Sequence, residues 1–224
     1  MLVCGKNVFY SLDPKTINKV YLSKNLKDEK IFEMLKKDKI KYVLSDPKTL
    51  DHMLSHNQGI IIDILEYKYK DLDAIGDSKM VLILDHLEDP HNFGAIIRTC
   101  EARGITKIII PKDRSVNVNE TVMKTSAGAL NYVDIIRVTN LVNAIDYLKE
   151  RGYFIYSAEA SGKDYNSINY ADKRALVIGS EGHGVSRLVI KNSDEVIRIP
   201  MFGKVNSLNA SVAAAILIYG IGDN

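Results

Sequence analysis

The sequence predicts an α/β chain in two parts: a small N-terminal α/β domain, then a larger domain on a mostly parallel sheet with helices on both faces. Three observations carry this. Beyond residue 79, apolar runs of strand length alternate with helical patterns of roughly 10–15 residues, the mark of strand–helix–strand crossovers. A polar stretch, Tyr67 to Lys79 (YKYKDLDAIGDSK), contains Gly76 and separates two strongly apolar runs. The chain has 224 residues, 46% hydrophobic and 26% charged, an ordinary globular composition that excludes disordered, collagen-like and disulfide-scaffold proteins. The boundaries are set at residues 1–72 and 80–224, with 73–79 as the linker.

In the first domain, Asn18 to Ser23 and Lys41 to Ser45 read as strands, and Gly59 to Leu65 (GIIIDIL) is an apolar run of strand length. Asp28 to Lys39 has Ile31, Phe32 and Leu35 at helical spacing, with acids early and lysines late, as the helix dipole prefers. A unit of this size lies near the lower limit for independent folding. In the second domain the predicted strands are Met80–Leu87, Lys107–Pro111, Val133–Val138, Tyr153–Ala158, Arg174–Ile178 and Glu195–Ile199. Helices are predicted over Phe93–Arg103, stopped by Gly104, over Glu120–Leu130, over Leu141–Arg151, stopped by Gly152, and over Leu208–Tyr219.

The charge balance, 30 basic against 28 acidic residues, argues as a global number against a nucleic-acid binder. It says nothing about where the charges lie. Residues 1–75 hold 13 lysines and no arginine against 11 acids, whereas residues 76–224 hold 9 lysines and all 8 arginines against 17 acids. Codon drift explains such a split as readily as function, although a guanidinium fork suits fixed bidentate contacts and lysine is a mobile point charge. Cys4 and Cys100 have no CxxC spacing, and His52 and His56 are not set in an HExxH motif, so neither a disulfide framework nor a metal site is expected. The N-terminus lacks a signal-peptide pattern, and the most apolar stretch, Ala210 to Ile221, is shorter than a membrane span. A cytoplasmic protein is expected.

In parallel sheets, ligands bind beyond the carboxyl ends of the strands. Three junctions there stand out: Asp85 to Arg98 (DHLEDPHNFGAIIR), Gly179 to Gly184 (GSEGHG), and Ile199 to Asn209 (IPMFGKVNSLN). GxGxxG, the P-loop and GxSxG are all absent. A hydrolase built on Ser180 and His183 has nothing to orient the histidine. Glycine-rich loops serve tight turns, and they also let a flat ligand lie against bare backbone whose N–H and C=O groups read an adenine edge. Alone, Arg98 is compatible with a surface arginine, and Glu181 with simple pairing to a nearby base.

These loops resemble the three motifs of the SpoU (TrmH) family of RNA 2′-O-ribose methyltransferases, in the SPOUT superfamily. NFGAIIR (Asn92 to Arg98) is similar to the first motif, N-x-G-x-x-x-R; VIGSEGHGVS (Val177 to Ser186) to the second; IPMFGKVNSLNASVAAAI (Ile199 to Ile216) to the third. Together they span roughly residues 76–224. GKNV near the start and NQGIII (Asn57 to Ile62) resemble, less closely, the ribosomal-protein-like substrate-binding domain of the RlmB-type branch.

The resemblance implies a parallel-sheet SPOUT domain with a trefoil knot in its C-terminal segment, and a homodimer with active sites at the subunit interface. It implies S-adenosyl-L-methionine as cofactor, contacted by Gly179, Ile199 and Leu208 with Met201 beside them. Arg98 is implied as the residue acting on the ribose hydroxyl, with Asn92 and Glu181 positioning it and the ribose, and Ser207 and Asn209 ordering the third loop. The expected partner is RNA, a guanosine of 23S ribosomal RNA first and transfer RNA second. The contrasting expectation is a non-catalytic RNA-binding assembly factor, distinguished by loss of Arg98 or Asn209; both are present.

Overall fold

The computed structural model describes residues 1–221. The first sheet contains β1 (Leu2–Cys4), β2 (Ile17–Ser23), β3 (Tyr42–Ser45) and β4 (Ile60–Ile64), with helices α1 (Lys6–Ser11), α2 (Glu29–Lys37) and α3 (Pro47–Met53). Its order is β1-β4-β2-β3, with β4 antiparallel to both neighbours and β2 parallel to β3. Central β4 is covered on both faces: Ile60 and Ile62 join Phe9, Leu22, Ile31 and Leu35, while Ile61 meets Cys4 and Leu50. That two-sided burial is why its sequence is a continuous apolar run rather than an alternation. In α2, Ile31 and Leu35 are the buried pair, with Glu29 in the first turn and Lys36 and Lys37 in the last.

The second sheet contains β5 (Met80–Asp85), β6 (Lys107–Pro111), β7 (Asp134–Val138), β8 (Phe154–Asp164), β9 (Arg174–Gly179) and β10 (Glu195–Arg198), in the order β10-β8-β9-β5-β6-β7. Every pairing in it is parallel. One face is covered by α4 (Pro90–Ala102), α5 (Glu120–Thr125) and α8 (Ala210–Gly220), the other by α6 (Leu141–Lys149) and α7 (Arg187–Lys191). The chain runs outward from β5 through β6 to β7, then crosses to fill the opposite side with β8, β9 and β10. The crevice where the direction reverses therefore lies between the carboxyl ends of β5 and β9, where Asp85 pairs with Gly179.

Several local features differ from the sequence expectation, each for a physical reason. Helix α4 begins at Pro90, because the Asp89 carboxylate caps it by accepting from His91 N and Pro90 supplies the first-turn φ. Helix α5 stops at Thr125, since Ala127 and Gly128 take positive φ and turn residues 129–131 back toward the first domain. Strand β8 runs past Ala158 to Asp164, because β10 shifts register along it: Val196 pairs with Ser157 but Ile197 with Lys163. Beyond the shift, Lys163 donates to Glu195 at 2.8 Å and holds that carboxyl below its usual range. Strand β1 and helices α1, α3 and α7 are too short to announce themselves by periodicity.

The stretch between the sheets is not a free tether. Lys70 bridges to Ile136 of β7, Ile135 N donates to the Tyr67 hydroxyl at 3.2 Å, and Val118 N donates to Tyr69 at 2.8 Å. Burial pushes the Tyr67 phenol up to about 12. Ile75, in a single 3-10 turn, is buried in the second core.

Gly94 sets how closely α5 lies on α4. A Cβ there would come 1.7 Å from Thr125 Oγ1 and 2.7 Å from Thr125 Cβ. We predict that Gly94→Ala costs about 1–3 kcal/mol through overpacking, measured by chemical denaturation, and that Gly94→Ala/Thr125→Gly recovers part of the loss.

Candidate active site

The three junctions converge on one carboxylate. Asn92 stands in the first turn of α4, Glu181 in the loop after β9, and Asn209 caps α8. Asn92 Nδ2 donates to Glu181 Oε1 at 2.6 Å, and Asn209 Nδ2 donates to the same oxygen at 2.7 Å. Asn209 Nδ2 also donates to Asn92 Oδ1 at 3.0 Å. Its own Oδ1 accepts from Ser211 N, Val212 N and the Ser211 hydroxyl, ending the preceding loop and starting the helix at Ala210. One side chain thus orders a helix start and ties it to two distant loops.

The loop after β9 closes on itself through reciprocal backbone bonds between Ser180 and Gly184. Gly179 is required for this: a Cβ on it would lie 2.0–2.3 Å from the backbone of Gly184 and Val185. Asp85, buried at the end of β5, tethers the far side of the loop by accepting from Ser186 N at 2.7 Å, while His86 Nδ1 lies 2.5 Å from its other oxygen. The closed loop forms a wall between two cavities. One, of about 500 Å³, runs from Ala158 and Glu159 past Gly179 to Ile199, Met201, Ser207 and Leu208, with Leu217 of α8 among its lining. The other, of about 560 Å³, is lined by Asp85, His86, Glu88, Asp89, Arg114 and the same loop.

Of the residues singled out in the sequence, Asn92, Glu181 and Asn209 meet directly, and Gly179, Ile199, Met201, Ser207 and Leu208 line the first cavity. Arg98 does not join them. It is exposed, lines neither cavity, and has no hydrogen bond or ion pair among the described residues. Six residues beyond Asn92 on one helix, it sits about 9 Å further along the axis and about 120° around it. Direct positioning of Arg98 by Asn92 or Glu181 is therefore not what this arrangement provides. Ser207 makes no hydrogen bond among the described residues, and the bonds at the end of the third loop are those of Asn209. Glu159 went unremarked in the sequence, although it follows the predicted end of a strand and the same strand-end rule points to it. Asp85 stood inside the first junction with no role given to it.

Residues 79–219 match the SpoU rRNA Methylase family model. The chain belongs to this family. Its methyltransferases act on RNA with S-adenosyl-L-methionine as methyl donor. Residues 2–70 match a second model, RNA 2′-O ribose methyltransferase substrate binding. A TrmH family tRNA/rRNA methyltransferase relative from Staphylococcus aureus is 44% identical over 217 residues, covering 92% of this chain and 88% of its own. One from Staphylococcus saprophyticus is 46% identical over 219 residues, with the same coverages. The SpoU methyltransferase AviRb from Streptomyces viridochromogenes, solved with AdoMet, shares the fold with a TM-score of 0.84 at 22% identity, covering 99% of this chain and 89% of its own. The A. aeolicus TrmH/SpoU tRNA modifying enzyme superposes with a TM-score of 0.59 at 30% identity, over 64% of this chain and 74% of its own.

The shared carboxylate predicts a specific failure. Asn209→Ala removes the cap of α8, one of the two amide donors to Glu181 and the bond to Asn92, and should lower stability by about 1–2 kcal/mol in denaturant titration. It should also weaken S-adenosyl-L-methionine binding, read by calorimetry, because one wall of the first cavity loses its anchor.

Proposed function

We propose that this enzyme methylates a ribose 2′-OH of RNA, with a guanosine of 23S ribosomal RNA as the substrate, and works as a cytoplasmic homodimer. The observation that carries the reading is the Asn92–Glu181–Asn209 cluster, which holds three family motifs together at the edge of a cavity large enough for a small cofactor. The first cavity suits S-adenosyl-L-methionine: Ile178, Ile199, Leu208 and Leu217 offer apolar surface to a flat base. Backbone around Gly179 is bare for edge contacts, and Glu159 offers a carboxylate to a cation or hydroxyl. When bound, the cofactor supplies a methyl group carried on a sulfonium. We assign its holding to Gly179, Ile199, Met201 and Leu208.

Arg98 remains the residue we assign to the ribose hydroxyl. A guanidinium keeps its protons, so its role is that of a fixed cation that stabilises the developing alkoxide and holds an adjacent phosphate. Asn92 and Glu181 act by fixing the start of the helix that carries it, and Asn209 and Ser207 by shaping the third loop. Exposed Arg98 is available to RNA or to a second copy of the chain. A partner subunit is also supported by apolar side chains open to solvent on the third loop and α8: Met201, Phe202, Val205, Leu208, Val212 and Tyr219. The reading includes a trefoil knot in the C-terminal segment. It divides the chain into a substrate-binding domain over 1–72, a linker over 73–79 and a methyltransferase domain over 80–224. Reduced, buried Cys4 and Cys100 are in keeping with a cytoplasmic setting.

Incubation with labelled S-adenosyl-L-methionine and separate ribosomal and transfer RNA, followed by mapping of the modified nucleotide, tests the proposal. Label at a 2′-O-methylguanosine of 23S RNA is expected. Label only in transfer RNA would overturn the substrate assignment, and label in neither would favour a non-catalytic RNA-binding protein. Arg98→Ala should lose about a hundredfold or more in turnover with cofactor affinity unchanged by calorimetry. Unaltered turnover would remove Arg98 from the chemistry.

A further inference from the structure

The turn leading into β4 concentrates unfavourable backbone geometry. His56 and Gln58 lie at φ +56° and +54°, followed by Gly59 at +78°. Among the described residues, no other three-residue stretch holds two non-glycine residues at positive φ. Glycine takes this conformation without strain and L-residues do not. Two side chains kept where glycine fits better call for a reason beyond the course of the chain.

Asn57, buried between them, locks the turn. Its Nδ2 donates to Asp51 Oδ1 at 2.8 Å and to Leu54 O at 2.9 Å, and its Oδ1 accepts from Gly59 N at 2.8 Å. Lys6 N approaches Gln58 Oε1 at 3.5 Å, which turns the amide oxygen inward and leaves the NH₂ without a partner among the described residues. His56 and Gln58 are both exposed, so a fixed backbone presents an imidazole and an amide to solvent. The turn also abuts the second domain, since Cys4 Sγ lies 3.7 Å from His56 O and 3.4 Å from Glu120 Oε1 of α5.

Most charges around this rim are matched, and Asp51 is held by the Asn57 amide instead of a cation. Lys6 pairs with Asp28, Lys24 with Asp46, and Lys124 with Glu120. By contrast, residues 36–48, running from the end of α2 through edge strand β3, hold five lysines against two acids. The basic stretch suits phosphates. The rim, with no unpaired lysine beside the turn among the residues named, suits base edges rather than phosphates; an amide reads them by hydrogen bonds and an imidazole by stacking.

We infer that the His56–Gln58 turn is the base-reading contact of the first domain, taking one unpaired nucleotide of the substrate with His56 against the base face and the Gln58 amide on its edge. The inference rests on RNA being the substrate. It separates specificity, carried by this turn, from affinity, carried by the lysines around β3.

The test uses His56→Gly and Gln58→Gly in the full chain. Thermal midpoints are measured with binding, at several salt concentrations, to a transcript that the wild type methylates and to a scrambled transcript of equal length. Glycine should leave the midpoint unchanged or raised, while affinity for the methylated transcript falls about tenfold per side chain toward the scrambled value, with the salt slope intact. Gln58→Ala, which keeps the native backbone demand, should lose the same discrimination. Lys39→Gln/Lys41→Gln should show the opposite pattern, a shallower salt slope with discrimination kept. Retained discrimination in the glycine variants, or a salt slope that falls with them, would overturn the inference. A wild type that methylates no RNA would instead overturn the reading on which it rests.

Discussion

One carboxylate oxygen, Glu181 Oε1, ties together the loops at the carboxyl ends of the second sheet's strands. It accepts from amides that lie 89 residues before it and 28 after it in the chain. Glu181 and Asn209 are exposed and only Asn92 is buried, so what these bonds supply is fixed geometry between loops rather than compensation for a desolvated charge. Asn209 gives most of that geometry, because its oxygen is taken up by the start of α8 while its nitrogen reaches Asn92 and Glu181. Loss of any member lets exposed groups turn to water and loosens the tie between the loops. The loops that wall the first cavity are held by these polar ties as well as by Val185 and Ile199 packed on the two cores.

The same end depends on backbones approaching more closely than side chains permit. Gly179 lets the β9 loop fold onto its own strand, and Gly94 lets α5 lie against the helix that carries Asn92 and Arg98. The second contact reaches beyond the site. Helix α5 touches the first domain through Glu120 at Cys4, and Met123 packs against that domain's core. Asn131, just after α5, bonds the carbonyl of Ser11. The first domain, α5 and α4 form a continuous path of packed elements, so the first domain's position is set against the helix of the first motif and not by a flexible linker.

How much of this was legible depended on which forces left a trace in the sequence. The second sheet was readable because burial on both faces writes continuous apolar runs, such as MVLILD and ALVIG, at regular spacing. The loops were readable because strand ends in parallel sheets gather polar and glycine residues. The far half of β8 was not: SGKD has neither apolar pattern nor β-branching, and it is extended only because β10 pairs with it after a register shift. Likewise α5 ends where a tertiary approach demands it, with Gly128 fitted against Ser11. The separation of Arg98 from Asn92 was in principle visible, since six residues on a helix cannot share a face. Motif resemblance groups residues by sequence, and helical geometry then disperses them.

Net charge also changes meaning once positions are known. A balance of 30 basic to 28 acidic residues describes neither domain well. Ion pairs at the His56–Gln58 rim cancel locally, while the lysines of residues 36–48 outnumber their acids beside an edge strand that leaves Tyr42, Val43 and Leu44 partly open to solvent. An enzyme that must find one nucleotide within a large polyanion gains little from a uniformly basic surface, which would bind every segment alike. With base reading assigned to the His56–Gln58 turn as proposed, a near-neutral chain with a basic stretch beside it limits nonspecific attraction and leaves discrimination to contacts that carry sequence information. The arginines, confined to the second domain, are then available for fixed contacts near the chemistry, where a planar fork holds a phosphate more rigidly than an ammonium does.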